Sequence, residues 1–237
     1  MHRRIVGTAG GAPRPLRAAP GVYTGFMNPL REELAAVAAR LVVEDGLDYA
    51  SAKRKALHQL LGPGVRSDAQ PDNDDVRAEV ERYLAVFHGD THPRLLWRLR
   101  AAALELMREF EPFRPYVAGA VWNGTATEHS GLHLLLFCDD PKEVEIHCIN
   151  RGIRYATSQG AHYAGRRSVE RLEFLWPLPG ENGSPELVLE ATLSLYPPKD
   201  ERGVLVHGGH GARGASPERG SLQALRNLVE AGPGPAP

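Results

Sequence analysis

The sequence predicts an α+β protein, a helical N-terminal part followed by a mixed β-sheet of about five or six strands. Two changes of pattern predict it. Up to about residue 112, apolar residues recur at three- and four-residue spacing between capping residues and glycines, the signature of amphipathic helices. After Pro115 they come in short or alternating runs separated by Gly, Asn, Asp and Pro, which is the pattern of strands. With 42% apolar and 24% charged residues in 237, the chain has the composition of a protein able to build a core.

The helices read in order. Asn28 caps the first and Pro29 opens it, with Glu32 and Glu33 in the electropositive first turn. Leu30, Leu34, Val37, Ala38 and Leu41 form its stripe, and Gly46 stops it. Asp48 opens a second through Ala52, Ala56, Leu57 and Leu60 to Gly62, and Asp72 or Asn73 opens a third with Val76, Val80, Tyr83, Leu84 and Phe87 inward. A fourth runs from about Pro93 to Phe110, and Pro112 and Pro115 forbid its continuation.

Strands are expected at about Tyr116 to Trp122, Leu132 to Cys138, Val144 to Asn150, Ile153 to Thr157, Val169 to Trp176 and Glu186 to Tyr196. Asp139-Asp140-Pro141-Lys142 reads as a tight turn joining the second and third of these as an antiparallel pair. Pro197-Pro198 ends the sheet. The expected division is a disordered leader (1–26), a helical region (27–112), an α+β sheet region (113–198) and a flexible Gly/Pro-rich tail (199–237) holding a short helix near Leu222 to Val229.

Charge excludes several classes. Lys plus Arg (28) nearly cancels Asp plus Glu (29), so no overall field draws the chain to nucleic acid or an anionic bilayer. Two cysteines, Cys138 and Cys148, make no disulfide framework, and no apolar run reaches the length of a membrane span. A cytoplasmic protein without membrane association is expected. The first 26 residues carry four arginines and no acid, and lack the apolar segment of a secretory signal; a transit peptide and an upstream extension before a start at Met27 both remain open.

The stretch richest in chemistry is Gly119-Ala-Val-Trp-Asn-Gly-Thr-Ala-Thr-Glu-His-Ser-Gly-Leu-His-Leu134, which runs from one strand through a small polar loop into another. Gly124-Thr125 and Ser130-Gly131-Leu132-His133 resemble the glycine-plus-serine/threonine loop and the Ser-Asp-x-Asp signature of the polymerase-beta-type nucleotidyltransferase superfamily. More closely, the chain is similar over roughly residues 28 to 197 to bacterial nucleotidyltransferase-like proteins with a helical N-terminal part and a His-Ser-Asp-Ile-His-Leu type segment.

The resemblance implies a nucleotidyltransferase-like fold, with Gly124, Thr125 and Ser130 holding a nucleoside triphosphate or phosphorylated ligand. It implies His133 at a signature position and Glu190 as a distant analogue of the third acid. It also implies Mg2+ or Mn2+ as the ion and a nucleic-acid or protein acceptor. In the superfamily two acids, two positions apart on a strand, hold that ion on one face. Here those positions are Gly131 and His133. Glycine has no donor, and imidazole suits a hard cation poorly.

Other groups carry competing readings. Glu128, Asp139, Asp140 and Glu145 could replace the missing acids, yet turns and strand faces place such residues without chemistry. His129, His133, Cys138, His147 and Cys148 are transition-metal ligand types, but neighbouring or odd spacing on strands sends several to opposite sides; a His129, His133, His147 cluster stays geometrically open. Arg151, Arg154, Arg166 and Arg167 suit either phosphate or solvent. Gly203 to Gly214, with His207 and His210, lacks the phosphate-loop pattern, and the Ala39 to Leu57 segment, with Lys53, Arg54 and Lys55, reads as helix packing before DNA contact.

Two functions follow as expectations. One is a divergent nucleotidyltransferase-like protein binding a nucleotide or phosphorylated ligand with weak or lost transfer. The other is a non-catalytic regulatory or protein/nucleic-acid-binding module.

Overall fold

The computed structural model describes residues 28–162, 168–178, 187–204 and 219–233. The α+β class and the six-stranded mixed sheet follow the sequence reading. The chain begins with α1 (Pro29–Asp45), where Asn28 Oδ1 accepts the Leu30 N–H, and turns through Gly46 at φ +67°. Asp48 caps α2 (Tyr49–Leu61) by accepting from the Ala50 and Ser51 N–H groups. Asp72 and Asp75 form a reciprocal capping box on α3 (Asn73–Phe87). Arg31 then binds both carboxylates, joining α1 to the start of α3. Alanines at 38, 52 and 56 let the three helices approach closely around Leu34, Leu41, Val76, Val80 and Leu84.

The fourth helix, α4 (His92–Glu109), has a different allegiance. Its Leu99, Ala103, Leu106 and Met107 belong to the second core, built against the sheet, so the two cores part between Phe87 and His92 although the helical pattern continues to residue 109.

The sheet contains β1 (Tyr116–Ala118), β2 (Leu132–Phe137), β3 (Ala156–Gly160), β4 (Val169–Leu178), β5 (Leu187–Tyr196) and β6 (Arg219–Ser221), in the order β3-β4-β5-β2-β1-β6. Among the described strands only β2 and β5 pair in parallel. One face carries Leu132, Leu134, Leu136, Leu172, Leu193 and their neighbours into the second core. At roughly 1.5–3 kcal/mol per fully buried large apolar side chain, this face is the main stabilising element of the sheet region.

Several sequence expectations are corrected. The first strand stops at Ala118 because Gly119, at φ +70°, turns the chain into a single helical turn, α5 (Ala120–Asn123). Val144 to Asn150 is not a strand, and Asp139 to Lys142 is not a hairpin turn. Asp140 caps and Pro141 opens α6 (Pro141–Asn150), whose Val144 and Cys148 enter the core at i, i+4 spacing. The next strand lies three residues later than expected at each end, over Ala156–Gly160.

Pro197 ends β5 but not the sheet. A short turn, Pro198–Asp200, leads into α7 (Glu201–Val204), and after the undescribed residues 205–218 the chain adds β6 at the sheet edge and α8 (Leu222–Glu230) over the core. The described part of the tail is therefore packed, with Leu225 fully buried and Trp97 donating to the Val229 carbonyl. Arg219 lies over the rings of Tyr116 and Phe137, its guanidinium 3.9 Å from the Tyr116 centroid, and donates to the Glu201 carbonyl. The leader (1–26), Arg166, Arg167, His207 and His210 lie outside the described residues. Among those described, no helix is long and apolar enough to cross a membrane.

Candidate functional site

The face of the sheet opposite the helices bears the polar residues. Because alternate strand residues share a face, Leu132, Leu134 and Leu136 point to the core while His133 points the other way. His133 lies beside Ala118 of β1 and Thr192 of β5, and the preceding β5 residue on that face is Glu190. Cross-strand register extends the plate to Glu173 beside Thr192, and to Arg171 between Ser158 and Ser194. His133 and Glu190, 57 positions apart in sequence, are thus brought to one exposed face by the parallel pairing of β2 with β5.

Electrostatics on this plate are mixed. Residue His133 meets solvent, yet its ring is crowded by the sheet. That crowding first, and then the Arg171 charge, hold the imidazole below its ordinary value, while Glu190 pulls it upward. Arg171 reaches across the edge strand, where a Cβ on Gly160 would overlap its Nε and Cζ atoms, and its buried Nε has no hydrogen-bond partner among the described residues. Ser158 Oγ donates to Glu173 at 2.6 Å.

The binding residues expected in the loop sit elsewhere. Gly124, at φ +87°, faces Arg100 and Leu96 of α4, and Thr125 is 3% exposed and hydrogen-bonded to Tyr49 of α2. His92 Nε2 donates to the Ala126 carbonyl at 3.0 Å, so that ring carries its proton on Nε2, and Arg100 donates to the Val121 and Trp122 carbonyls. Ser130 Oγ accepts from the Thr127 N–H at 2.9 Å. The loop spends its polar groups on itself and on the joint with the first three helices, where the His129 ring lies against Gly46. The turn glycine that faces the plate is Gly119, whose missing Cβ would lie 3.4 Å from His133 Cδ2.

The donor set does not fit Mg2+ or Mn2+. Gly131 offers no ligand, and a Cβ there would come within 2.7 Å of the Glu190 carbonyl oxygen, so an acid could enter only with displacement of β5. Among the described residues no three His, Cys, Asp or Glu side chains converge to hold an ion. The three candidate histidines separate: His129 is at the helical joint, His133 on the open face, and His147 between α6 and α4 with its Nε2 2.9 Å from Glu109.

Most of the remaining candidate acids and cations have structural partners. Asp140 caps α6, and Glu145 lies on that helix, bound to Lys142 and Tyr155. Glu128 is an exposed loop residue beside His129, and Asp139 is exposed. Arg151 binds Glu109 through two contacts, whereas Arg154 is exposed. Lys53, Arg54 and Lys55 bind Asn73, Ser51 and Asp45. Cys138 and Cys148 are buried in the core, and burial pushes each thiol up to about 11.

Sequence reasoning missed Arg171, Thr192 and Gly160. The alternation of Leu172 and Phe174 with Arg171 and Glu173, and of Ala191 and Leu193 with Thr192, contains the signal that these share the face of Glu190. Compared with protein-family models, with curated proteins and with solved structures, the chain matches none.

Proposed function

We propose that the protein is a divergent nucleotidyltransferase-like protein that binds a nucleotide or phosphorylated ligand on the open sheet face, with transfer activity weakened or lost. The observation that carries this reading is the meeting of His133 and Glu190 on adjacent parallel strands, with His133 on β2 of the β1–loop–β2 hairpin that bears the resemblance. The polar surroundings, with Arg171, Thr192 and Ser194 on the same face, support an anionic ligand there.

Any retained reaction is attack by an acceptor hydroxyl on the α-phosphorus of a nucleoside triphosphate. The oxygen–phosphorus bond forms, the α–β anhydride bond breaks, pyrophosphate leaves, and Glu190 receives the hydroxyl proton. His133, kept neutral near pH 7, supplies a hydrogen bond to ligand or acceptor. The poor fit to a divalent ion argues for binding over rapid turnover.

Calorimetric titration with the four nucleoside triphosphates, in Mn2+ and in EDTA, tests the proposal. Saturable binding weakened about tenfold or more by His133→Ala and by Glu190→Gln is expected. Silence of every nucleotide under both conditions overturns it in favour of the non-catalytic regulatory or partner-binding module, a reading that the separate core of the first three helices favours.

A further inference from the structure

We infer that a second ligand site lies at the carboxyl ends of β2 and β5, and that it takes a small organic anion with an apolar body. In mixed sheets the ends of parallel strands diverge into different connections and leave a crevice between them. Here β2 leads into α6 and β5 into the Pro198–Asp200 turn, and a cavity of about 760 Å3 opens beside these exits. That volume lies within the range of small-molecule sites.

The cavity has an uncommon polar floor. His162 and Asp200, each 8% exposed, come from different connections, one after β3 and one after β5, and meet with Nε2 3.1 Å from Oδ2. The Tyr196 ring stands edge-on to the imidazole at 5.3 Å. Burying such a pair is a poor way to gain stability, because desolvation offsets the attraction, so its place on the cavity wall points to a role beyond packing.

The walls define the ligand. Lys199, exposed and next to Asp200, supplies a cation, and Gln159 and Ser168 add neutral donors. Val169 and Leu195 with Pro141 and Pro197 make a rigid apolar wall. Glu170, the other acid in the described lining, lies near Lys142 of α6, whose charge opposes its own. An oxyanion against Lys199 with an apolar group against Val169 and Leu195 satisfies both walls. The cavity lies beyond the carboxyl ends of the strands, whereas His133 is near the start of β2; Val169 shares the His133 face, packed with Phe137 and Tyr196, but Lys199 and Asp200 follow β5 and are not part of that plate.

Inorganic phosphate and phenyl phosphate are the probes, titrated into the full chain by calorimetry and by amide chemical-shift mapping. Phenyl phosphate is expected to bind saturably and at least about tenfold tighter than phosphate, with shifts at residues 159, 162, 169 and 199. Lys199→Gln, a surface change that leaves the buried pair intact, weakens it about tenfold or more, whereas Lys55→Gln on α2 leaves it unchanged. Gln159→Trp, which fills the cavity from the edge strand, weakens it without altering charge. No saturable binding, or equal losses in Lys199→Gln and Lys55→Gln, overturns the site.

Discussion

The two faces of the sheet are made from the same strands, yet they obey different rules. On the covered face every β2 position is a leucine with no exposure, and its neighbours are Val117, Ala191 and Leu193. On the other face β2 passes from His133 through Leu135 to Phe137, and β4 and β5 contribute Arg171, Glu173, Glu190 and Thr192. Packing determines the first face, because each side chain there must fill a fixed volume. The second face is not determined by packing at its polar end, so the residues there are free to answer to a ligand.

The sharpest way to break this contrast is at adjacent residues. Leu134→Ala removes a fully buried side chain from the core and is expected to cost about 3 kcal/mol, seen as an earlier urea midpoint with an unchanged slope. His133→Ala, one residue away, is expected to change stability by less than about 0.5 kcal/mol. Equal losses in the two variants would mean that the His133 face is held by packing as tightly as the covered one.

The same asymmetry explains what the sequence disclosed. The first three helices were legible because each has its own cap, Asn28, Asp48 and Asp72, and a stripe that closes on neighbouring helices. The α6 segment misled because Val144, Ile146 and Cys148 also alternate, and Ile146 and Ile149 remain exposed, so the apolar pattern has no clear helical stripe. The cap Asp140-Pro141 was the better signal. In the tail the helix near Leu222 to Val229 was legible, but the surrounding glycines and prolines hid that it packs on the core through Leu225. His133 and Glu190 were named only through the resemblance, one at a signature position and the other as a distant analogue of the third acid, and their meeting depends on a parallel pairing across 57 positions. The cavity at Asp200 depends on two connections that no local pattern links.

Two glycines sharpen the comparison at smaller amplitude. Gly220 of β6 pairs with Val117, and a Cβ there would overlap the Trp122 ring, a rigid part of the covered side. Gly220→Ala is expected to cost about 1–3 kcal/mol through overpacking. Gly160 is equally tight on paper, but its neighbour is the far end of the Arg171 side chain, which can swing away. Gly160→Ala is expected to cost less than about 1 kcal/mol while moving Arg171, and so to raise the pH at which His133 titrates by proton NMR, since Arg171 is one of the causes holding it down. Comparable destabilisation by both alanines would show that Arg171 is locked in place.

Titration gives the smallest and most selective contrast. Cys138 and Cys148 belong to the covered core, where burial raises each thiol from near 9 to about 11. A thiol with a raised folded value favours folding fully below its unfolded value, and that contribution is lost as pH rises through the folded value; stability should therefore decline between about pH 9 and pH 11. His133 has the opposite sign: its depressed value means that its contribution is present above the ordinary histidine range and falls away in acid. Alkylation by iodoacetamide at pH 8 should run on the order of a hundredfold slower for the folded thiols than for the denatured chain, because two pKa units remove that fraction of thiolate. Replacing both cysteines by alanine should reduce the alkaline decline, leaving the part that the raised tyrosines Tyr49, Tyr83, Tyr116 and Tyr155 contribute, and should leave the acid limb; an alkaline decline unchanged in the double variant would assign it wholly to groups other than the two thiols.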